Sequence, residues 1–334
     1  MTIPSVTRET LILTRDDIAG LMTTDDYLEG AERAFRAIGT GESASPPPLH
    51  LHLPEGGIHA KAATLQDAAL AAVKVNANLP RNPELHRLPT IQGAILLIDI
   101  RQGRLLAIMD SIEITLQRTA AATALAARHL AQADAGRLCL IGCGAQAKPQ
   151  IQALLNLLPI REIRLLDTEP ARANRLAADL RSRSGLVVQA ERRLETAVKD
   201  AEVIVTCTTA RQPFLTEDHV APGAFIAAVG ADSPEKNEIG AGLMSRGKVV
   251  ADVLHQCATM GDLHHAIAAG AVAPDGIHAE LADLVLGEKP GRRDAREIFI
   301  FDSTGTAAQD VAVAATVYAR AQSAGTGRRR QLGG

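Results

Sequence analysis

The sequence has few aromatic residues and no excess of charge of one sign. Aromatic residues make up 2% of its 334 residues, with five Phe, two Tyr and no Trp, which leaves little material for stacking nucleic-acid bases. The 35 Lys and Arg nearly balance the 38 Asp and Glu, for a net charge of −3, whereas nucleic-acid-binding proteins usually carry a basic excess. Together these features predict a protein that does not bind nucleic acid.

Long apolar runs and paired cysteines are also missing from the sequence. No uncharged apolar stretch reaches the roughly 18 residues that a membrane-spanning helix needs, so we expect no membrane partner. The four cysteines form no CxxC pair and the N-terminal residues lack a secretory-signal pattern, which favours a reducing, cytoplasmic setting. His50 and His52 share one strand face without a third ligand nearby, so we interpret them as polar surface and predict no metal site.

The sequence does contain a regular alternation of strands and helices from Arg137 to about Glu297. This alternation predicts a parallel, doubly wound sheet with right-handed crossovers. Before it, extended runs mix with helices and end in a long Ala-rich helix, and after it an amphipathic helix closes the fold. The final residues, 325–334, have the composition of a mobile basic tail.

A glycine motif, GCGAQA at 142–147, follows an apolar strand and opens a helix. Gly142 permits a tight turn, Gly144 lets the backbone approach a pyrophosphate, and the helix N-terminus favours negative charge. Asp167 ends the next strand, where a carboxylate binds ribose hydroxyls and repels a 2′-phosphate, which favours NAD(H) over NADP(H). The alternative is an ordinary glycine turn with a capping Asp. Further candidate cofactor contacts lie in the glycine motif and at the ends of the predicted parallel strands. They are Ala145, Gln146, Thr168, Thr206, Thr208, Val229 and Gly230.

Six motifs, in order along the chain, carry a resemblance to a known family. They are VKVNANLP (73–80), LPTIQGAILLID (88–99), IMDSIEITLQRTAAATALAARHLA (108–131), LIGCGAQA (140–147), AVGADSPEKNEI (228–239) and IFDSTGTAAQDVAVA (300–314). With them the sequence resembles the ornithine cyclodeaminase/mu-crystallin family, which includes cyclodeaminases, an alanine dehydrogenase type and imino-acid reductases. The resemblance implies a Rossmann NAD-binding domain, 133–301, inserted in a discontinuous α+β substrate and dimerisation domain, 1–132 plus 302–334, and a homodimer.

The resemblance also implies roles for individual residues. Lys74 matches the family's active-site lysine, Arg118 the arginine that binds the substrate α-carboxylate, and Asp232 the acid beside the reacting amine or imine. These matches imply further contacts with the substrate at Thr90 and Ser303, and with the cofactor at Thr119 and Thr304.

Lys61 occupies a position where the family's cyclodeaminases resemble one another in having a carboxylate, and where the alanine dehydrogenase type has an arginine. A cation there repels the distal ammonium of ornithine and favours a carboxylate. We therefore predict an NAD(H)-dependent oxidoreductase that interconverts a small L-amino acid and its imine or 2-oxo acid, with Lys61 binding substrate. The alternatives are an ornithine cyclodeaminase, which releases ammonia and forms proline, and a non-enzymatic binding protein on the same fold.

Overall fold

The computed structural model describes residues 9–181 and 185–332, which divide into two compact units. The first unit comprises the chain up to Arg118 and again from Thr306 onward, and the second comprises Thr119–Gly305. The sequence places the domain boundaries after residues 132 and 301, whereas the units divide after Arg118, inside a helix, and after Gly305. Each unit is built around its own sheet.

The elements follow one another in two long segments and a short return. The first segment contains β1 (Glu9–Leu13), α1 (Arg15–Leu21), α2 (Thr24–Gly39), β2 (Leu49–Leu53), β3 (Gly56–Leu65), β4 (Leu70–Asn78), α3 (Asn82–Leu85), β5 (Ile91–Asp99), β6 (Arg104–Asp110) and α4 (Ser111–Leu130). The second contains β7 (Arg137–Ile141), α5 (Ala147–Leu157), β8 (Glu162–Leu166), α6 (Pro170–Arg181), β9 (Val187–Ala190), α7 (Leu194–Ala197), β10 (Val203–Thr206), a 3₁₀ turn (Glu217–His219), β11 (Phe225–Ala228), α8 (Ala241–Arg246), β12 (Lys248–Ala251), α9 (Leu254–Cys257), α10 (Asp262–Ala268), β13 (Ala279–Glu280), α11 (Leu281–Leu286) and β14 (Phe299–Asp302). The return consists of α12 (Ala307–Ala324) and β15 (Arg328–Gln331).

The sheet of the first unit has the strand order β15-β1-β6-β5-β4-β3-β2. Its neighbouring strands are antiparallel except for the parallel pair β1–β6. Side chains alternate between the two faces along each strand, and α12 packs on one face, over β3, β4 and β5. Leu65, Ile95 and Leu97 on this face are fully buried. Lys74 of β4 points to the same face, because it lies directly opposite Ile95 in the β4–β5 register.

The basic C-terminal segment forms a strand instead of the expected mobile tail. Residues 328–331 pair antiparallel with β1, with Arg328 opposite Ile12 and Gln331 opposite Glu9. The expectation of a mobile tail was wrong for these residues. Three consecutive arginines show no apolar alternation, so the sequence does not reveal that their backbone groups pair with β1 as an edge strand. Residues 333–334 lie outside the described residues.

The sheet of the second unit is parallel throughout, with the order β13-β12-β14-β11-β10-β7-β8-β9. From β7 the chain runs outward through β8 and β9, and then returns to the other side of β7 with β10 and β11. The direction therefore reverses between β7 and β10, which is where doubly wound sheets bind ligands at the carboxyl ends of their strands. This arrangement confirms the predicted doubly wound, Rossmann-type sheet.

Across the described ranges, 9–181 and 185–332, we find no helix that combines the length and the apolar character needed to cross a membrane.

Candidate active site

A buried carboxylate lies between two buried cations in the first unit. The Nζ of Lys74 is 2.7 Å from Oδ2 of Asp310, and the Nε of Arg118 is 3.3 Å from Oδ1 of the same carboxylate. Lys74 and Arg118 are each 5% exposed, and Asp310 is 1% exposed. Burying a charge costs free energy even when the charge is paired. A buried group of three charged residues is therefore uncommon, and its presence points to a function.

The start of α12 provides both Asp310 and a second partner for Arg118. Thr306 caps this helix, and its hydroxyl accepts a hydrogen bond from the backbone N–H of Gln309. The side chain of Gln309 accepts from Nη1 of Arg118 at 3.3 Å and donates to the Arg118 carbonyl at 3.2 Å. The arginine is therefore fixed through both its side chain and its main chain.

Sequence analysis missed Asp310 and Gln309. Both stand in the quoted motif IFDSTGTAAQDVAVA, where two polar residues interrupt an apolar run at the start of α12 that is buried from Ala307 to Ala314. A buried acid in such a run requires a cationic partner, which is the signal that could have found Asp310.

The pKa of Lys74 lies near neutrality because of its surroundings. Burial lowers this pKa from 10.5 to about 7. The Asp310 carboxylate opposes the shift, whereas the charges of Arg118 and Lys61 reinforce it. Lys61 is half-buried and lies directly opposite Lys74 in the β3–β4 register, so both side chains belong to the same sheet face. A lysine with such a pKa exchanges a proton readily at neutral pH.

Thr90, the remaining substrate candidate of the first unit, lies in the loop before β5. It is half-buried, and its carbonyl accepts a hydrogen bond from the backbone N–H of Leu79 at 2.8 Å. This bond ties the loop before β5 to the end of β4, the strand that carries Lys74.

In the second unit, the glycine loop joins β7 to α5 as the motif predicts. Gly142 has a φ of +98°, in the left-handed region that favours glycine, and a Cβ there would overlap the carbonyl of Cys207. Gly144 is exposed, and a Cβ added to it would meet nothing within 4 Å. The loop thus has one glycine, Gly142, that steric contacts require, and a second, Gly144, whose backbone a ligand can reach. A bound pyrophosphate needs both features.

Asp167 is hydrogen-bonded to this loop. Its Oδ2 accepts from the backbone N–H of Cys143 at 2.7 Å, and its Oδ1 accepts from that of Glu169 at 2.8 Å. Because an ionised carboxylate has about four acceptor positions, Asp167 keeps capacity for ribose hydroxyls. A cavity of about 790 Å³ borders the loop, and Cys143, Gly144, Arg172 and Asp179 are among its lining residues. These features fit a dinucleotide.

The ends of β10 and β11 are linked through a buried acid, Glu238. The Thr206 hydroxyl donates to Oε2 of Glu238 at 2.8 Å, and the backbone N–H groups of Thr208 and Gly230 donate to its carboxylate at 2.7 and 2.8 Å. Thr206 and Glu238 are fully buried. The Thr206 hydroxyl therefore faces the protein interior, whereas Thr208 is only half-buried.

The other candidates of the second unit occupy varied surroundings. Thr304 is buried, and its hydroxyl donates to Asp252 at 2.9 Å. Asp232 is half-exposed and forms an ion pair with Lys236, whose Nζ is 2.5 Å from Oδ1. Gln146 immediately precedes α5 in helical conformation, and Thr119 lies buried in α4. The remaining members of the set are Ala145, exposed in the glycine loop, Thr168, exposed after β8, Val229, after β11, and Ser303, buried after β14.

The sequence of this chain is similar to those of known proteins over nearly its whole length. The family model of the ornithine cyclodeaminase/mu-crystallin family matches residues 8–325. The chain is 35% identical to alanine dehydrogenase of Archaeoglobus fulgidus over 321 residues, which are 96% of this chain and 97% of that protein.

Two solved structures share the fold over their whole length. An archaeal alanine dehydrogenase dimer with bound NAD has a TM-score of 0.93 and 34% identity, covering 97% of this chain and 100% of the other. The iminosuccinate reductase of Paracoccus denitrificans in complex with NAD+ has a TM-score of 0.90 and 31% identity, with the same coverage of 97% and 100%.

Proposed function

Because the chain belongs to the ornithine cyclodeaminase/mu-crystallin family, we propose that it is an NAD(H)-dependent oxidoreductase that interconverts a small L-amino acid and its imine or 2-oxo acid. The observation that carries this proposal is the buried group of Lys74, Arg118 and Asp310 in a chain that also has an open glycine loop. Its relatives with NAD include an alanine dehydrogenase and an iminosuccinate reductase, both of which act on such substrates.

Each proposed residue contributes one step that the cofactor does not supply. NAD, when bound, accepts or provides the hydride at the substrate Cα. Arg118 binds the α-carboxylate through its planar guanidinium and orients Cα, and Gln309 keeps that guanidinium in place. Lys74, with a pKa of about 7, gives or takes a proton at the substrate nitrogen or carbonyl oxygen. Asp232 is proposed as the acid that binds the reacting amine.

Lys61 supports a substrate whose side chain is neutral or acidic. A substrate ammonium next to Lys61 would meet a like charge beside a group in which two cations, Lys74 and Arg118, share the single carboxylate of Asp310. At an effective dielectric of about 20, a like-charge pair roughly 5 Å apart costs about 3 kcal/mol, or about a hundredfold in binding. Solvent screening at the half-buried Lys61 reduces this toward about tenfold. We therefore propose that the enzyme rejects ornithine and lysine.

A substrate panel tests the proposal. The protein is incubated with NADH, ammonia and 2-oxo acids, or with NADH and cyclic imines, and NADH oxidation is followed. We expect stoichiometric oxidation with at least one substrate, loss of this activity in Lys74→Met, and retention in Lys199→Met, a control at an exposed lysine of the same chain. Proline and ammonia formed from ornithine without net change in NADH, at a rate matching the best reductive activity, would contradict it in favour of a cyclodeaminase.

The substrate claim about Lys61 has its own measurement. In Lys61→Ala we expect the KM of an acidic substrate to rise by about tenfold, because a favourable charge is removed. An unchanged KM would mean that Lys61 does not contact the substrate.

We further propose that the enzyme is a homodimer paired through the sheet of the first unit. On the sheet face opposite α12, the leucines of β2 remain solvent-accessible, with Leu49 53% and Leu51 51% exposed, as does Val75 of β4 at 40%. Their neighbours across the strands are also apolar, with Ile58 opposite Leu51. An exposed apolar face of this kind usually marks a protein–protein interface. The similar archaeal alanine dehydrogenase is a dimer.

A further inference from the structure

Glu238 is a fully buried acid that receives three hydrogen bonds from two separate strand ends. Oε1 accepts from the backbone N–H of Thr208, which follows β10, and Oε2 accepts from the hydroxyl of Thr206 and the backbone N–H of Gly230, which follows β11. Gly230 has no space for a side chain, because a Cβ there would overlap both the Thr208 carbonyl and the Glu238 carboxyl group. One carboxylate therefore fixes the spacing of the two strand ends.

Glu238 is itself held rigidly by its backbone. Its N–H donates to Oδ1 of Asp262 at 2.6 Å, and the same oxygen accepts from Ile239. Its carbonyl accepts from the backbone N–H groups of Phe214 and Leu215 at 3.0 and 3.1 Å. A side chain whose own backbone is fixed in this way can define the position of the groups that bind it.

We propose that Glu238 is a positioning residue for the dinucleotide: it holds the loops after β10 and β11 in the arrangement that binds the nicotinamide half of NAD(H). The inference rests on the proposed function. Thr208 and Gly230 lie at the carboxyl ends of parallel strands beside the reversal of strand order, which is where such sheets bind dinucleotides. Glu238 lies beneath them and acts only through them, so it is not a catalytic residue.

Glu202 offers a matched control at the other end of the same sheet. Its Oε2 accepts from the backbone N–H groups of Gly136 and Arg137 at 2.8 and 3.0 Å, at the amino end of β7. Glu202 therefore also binds backbone N–H groups of a neighbouring strand, but at the amino ends of the strands, opposite the carboxyl ends where doubly wound sheets bind ligands. Glu238→Gln should lower stability more than Glu202→Gln, because Glu238 is fully buried whereas Glu202 is partly exposed and ion-paired with Arg137. The readout that separates the two positions is therefore the Kd for NADH, which loss of cofactor positioning raises only in the Glu238 variant.

The test compares Glu238→Gln with Glu202→Gln by NADH titration, using the fluorescence of NADH itself or calorimetry, and by steady-state kinetics. In Glu238→Gln an amide N–H₂ faces backbone donors, and loss of a hydrogen bond to a charged group predicts a Kd for NADH raised by about 10- to 100-fold. The KM of the amino- or imino-acid substrate at saturating NADH should change by less than about twofold, as should the Kd for NADH in Glu202→Gln.

A milder variant keeps the inference testable if Glu238→Gln does not fold. Thr206→Val removes one donor to Glu238 while keeping a β-branched side chain in β10, and should raise the Kd for NADH by roughly fivefold. If Glu238→Gln and Thr206→Val, or whichever of the two folds, kept an NADH Kd within twofold of wild type, the inference would be overturned while the proposed function stayed intact. If the wild-type protein bound no NADH, the proposed function would fail and this inference with it.

Discussion

At the scale of single residues, the surroundings of Lys74 shift its pKa in opposite directions. Asp310 raises the pKa of Lys74, whereas burial, Arg118 and Lys61 lower it, with a resulting value of about 7. The unfolded chain has an ordinary lysine pKa near 10.5 and binds more protons between these two values. The contribution of Lys74 to stability therefore rises as the pH increases from about 7 toward 10.5, and is least below pH 7.

Two substitutions should move the pKa of Lys74 in opposite directions. Asp310→Asn removes the charge that raises it, so the Lys74 limb of the pH profile of kcat/KM should shift to lower pH. Lys61→Met removes a charge that lowers it, so the same limb should shift to higher pH. The measurement is kcat/KM across pH 5 to 9 for both variants and wild type. Shifts of the same sign in both variants would show that the limb belongs to another group.

Asp167 should determine the choice between the two dinucleotides. Its carboxylate ends β8 next to the glycine loop, where it would repel a 2′-phosphate, so we expect higher kcat/KM with NADH than with NADPH. Asp167→Ser should narrow this ratio by at least about tenfold, since one unfavourable charge pair is removed. Asp218→Asn, which removes an exposed acid of the same unit that is not among the residues lining this cavity, is the control and should leave the ratio unchanged. Equal efficiency of the wild-type enzyme with both dinucleotides would refute the expectation.

What the sequence revealed about the site depended on local context. The glycine loop and Asp167 were predictable, because both signals lie within a strand, a turn and a helix that follow directly on one another. Lys74 and Arg118 were accessible through the resemblance to a family. Asp310 and Glu238 were not found, since their partners are distant in sequence and only the folded sheet and helix bring them together.

At the scale of elements, the alternation of strands and helices predicted the parallel sheet, whereas β15 lies where a mobile tail was expected. Its sequence, RRRQ, has no apolar alternation, and its stability as a strand comes from backbone pairing with β1. Sequence patterns that rely on side chains cannot detect a strand that is defined by its backbone partner.

Removal of β15 should expose an unprotected sheet edge. A chain ending at Gly327 would leave β1 with free N–H and C=O groups along its outer side, which favours pairing between molecules. We expect a lower Tm and concentration-dependent light scattering. The control replaces Arg328, Arg329 and Arg330 by Lys, which keeps both the charge and the backbone of the edge strand, and should remain monodisperse. A truncated chain that stayed monodisperse with an unchanged Tm would mean that β15 does not protect the edge.

At the scale of the whole molecule, the two sheets serve different purposes. The parallel sheet is covered on its inner strands and presents its polar strand ends, such as Thr208 and Gly230, which suits a cofactor. The mixed sheet places Lys74 under α12 on one face and exposes leucine and valine side chains on the other. Under the proposed function, one antiparallel meander would provide catalytic residues on one face and a surface for a second subunit on the other.

A charge on the exposed apolar face should convert the proposed dimer to a monomer. Leu51 lies in the middle of β2 and is 51% exposed, so Leu51→Glu would bury an unpaired carboxylate if the dimer formed. In a two-fold symmetric interface each substitution occurs twice, and the penalty of roughly 1 to 3 kcal/mol per buried polar group is doubled. Light scattering at micromolar concentration should give about twice the 35.2 kDa chain mass for wild type and the chain mass for the variant.

The second unit provides the control for this experiment. Val187 at the start of β9 is 54% exposed, close to the value for Leu51, but belongs to the parallel sheet. Val187→Glu should remain a dimer, because it adds the same charge outside the proposed interface. A monomeric wild-type protein would rule out the homodimer, and a dimer that survives Leu51→Glu would place the interface on a different surface.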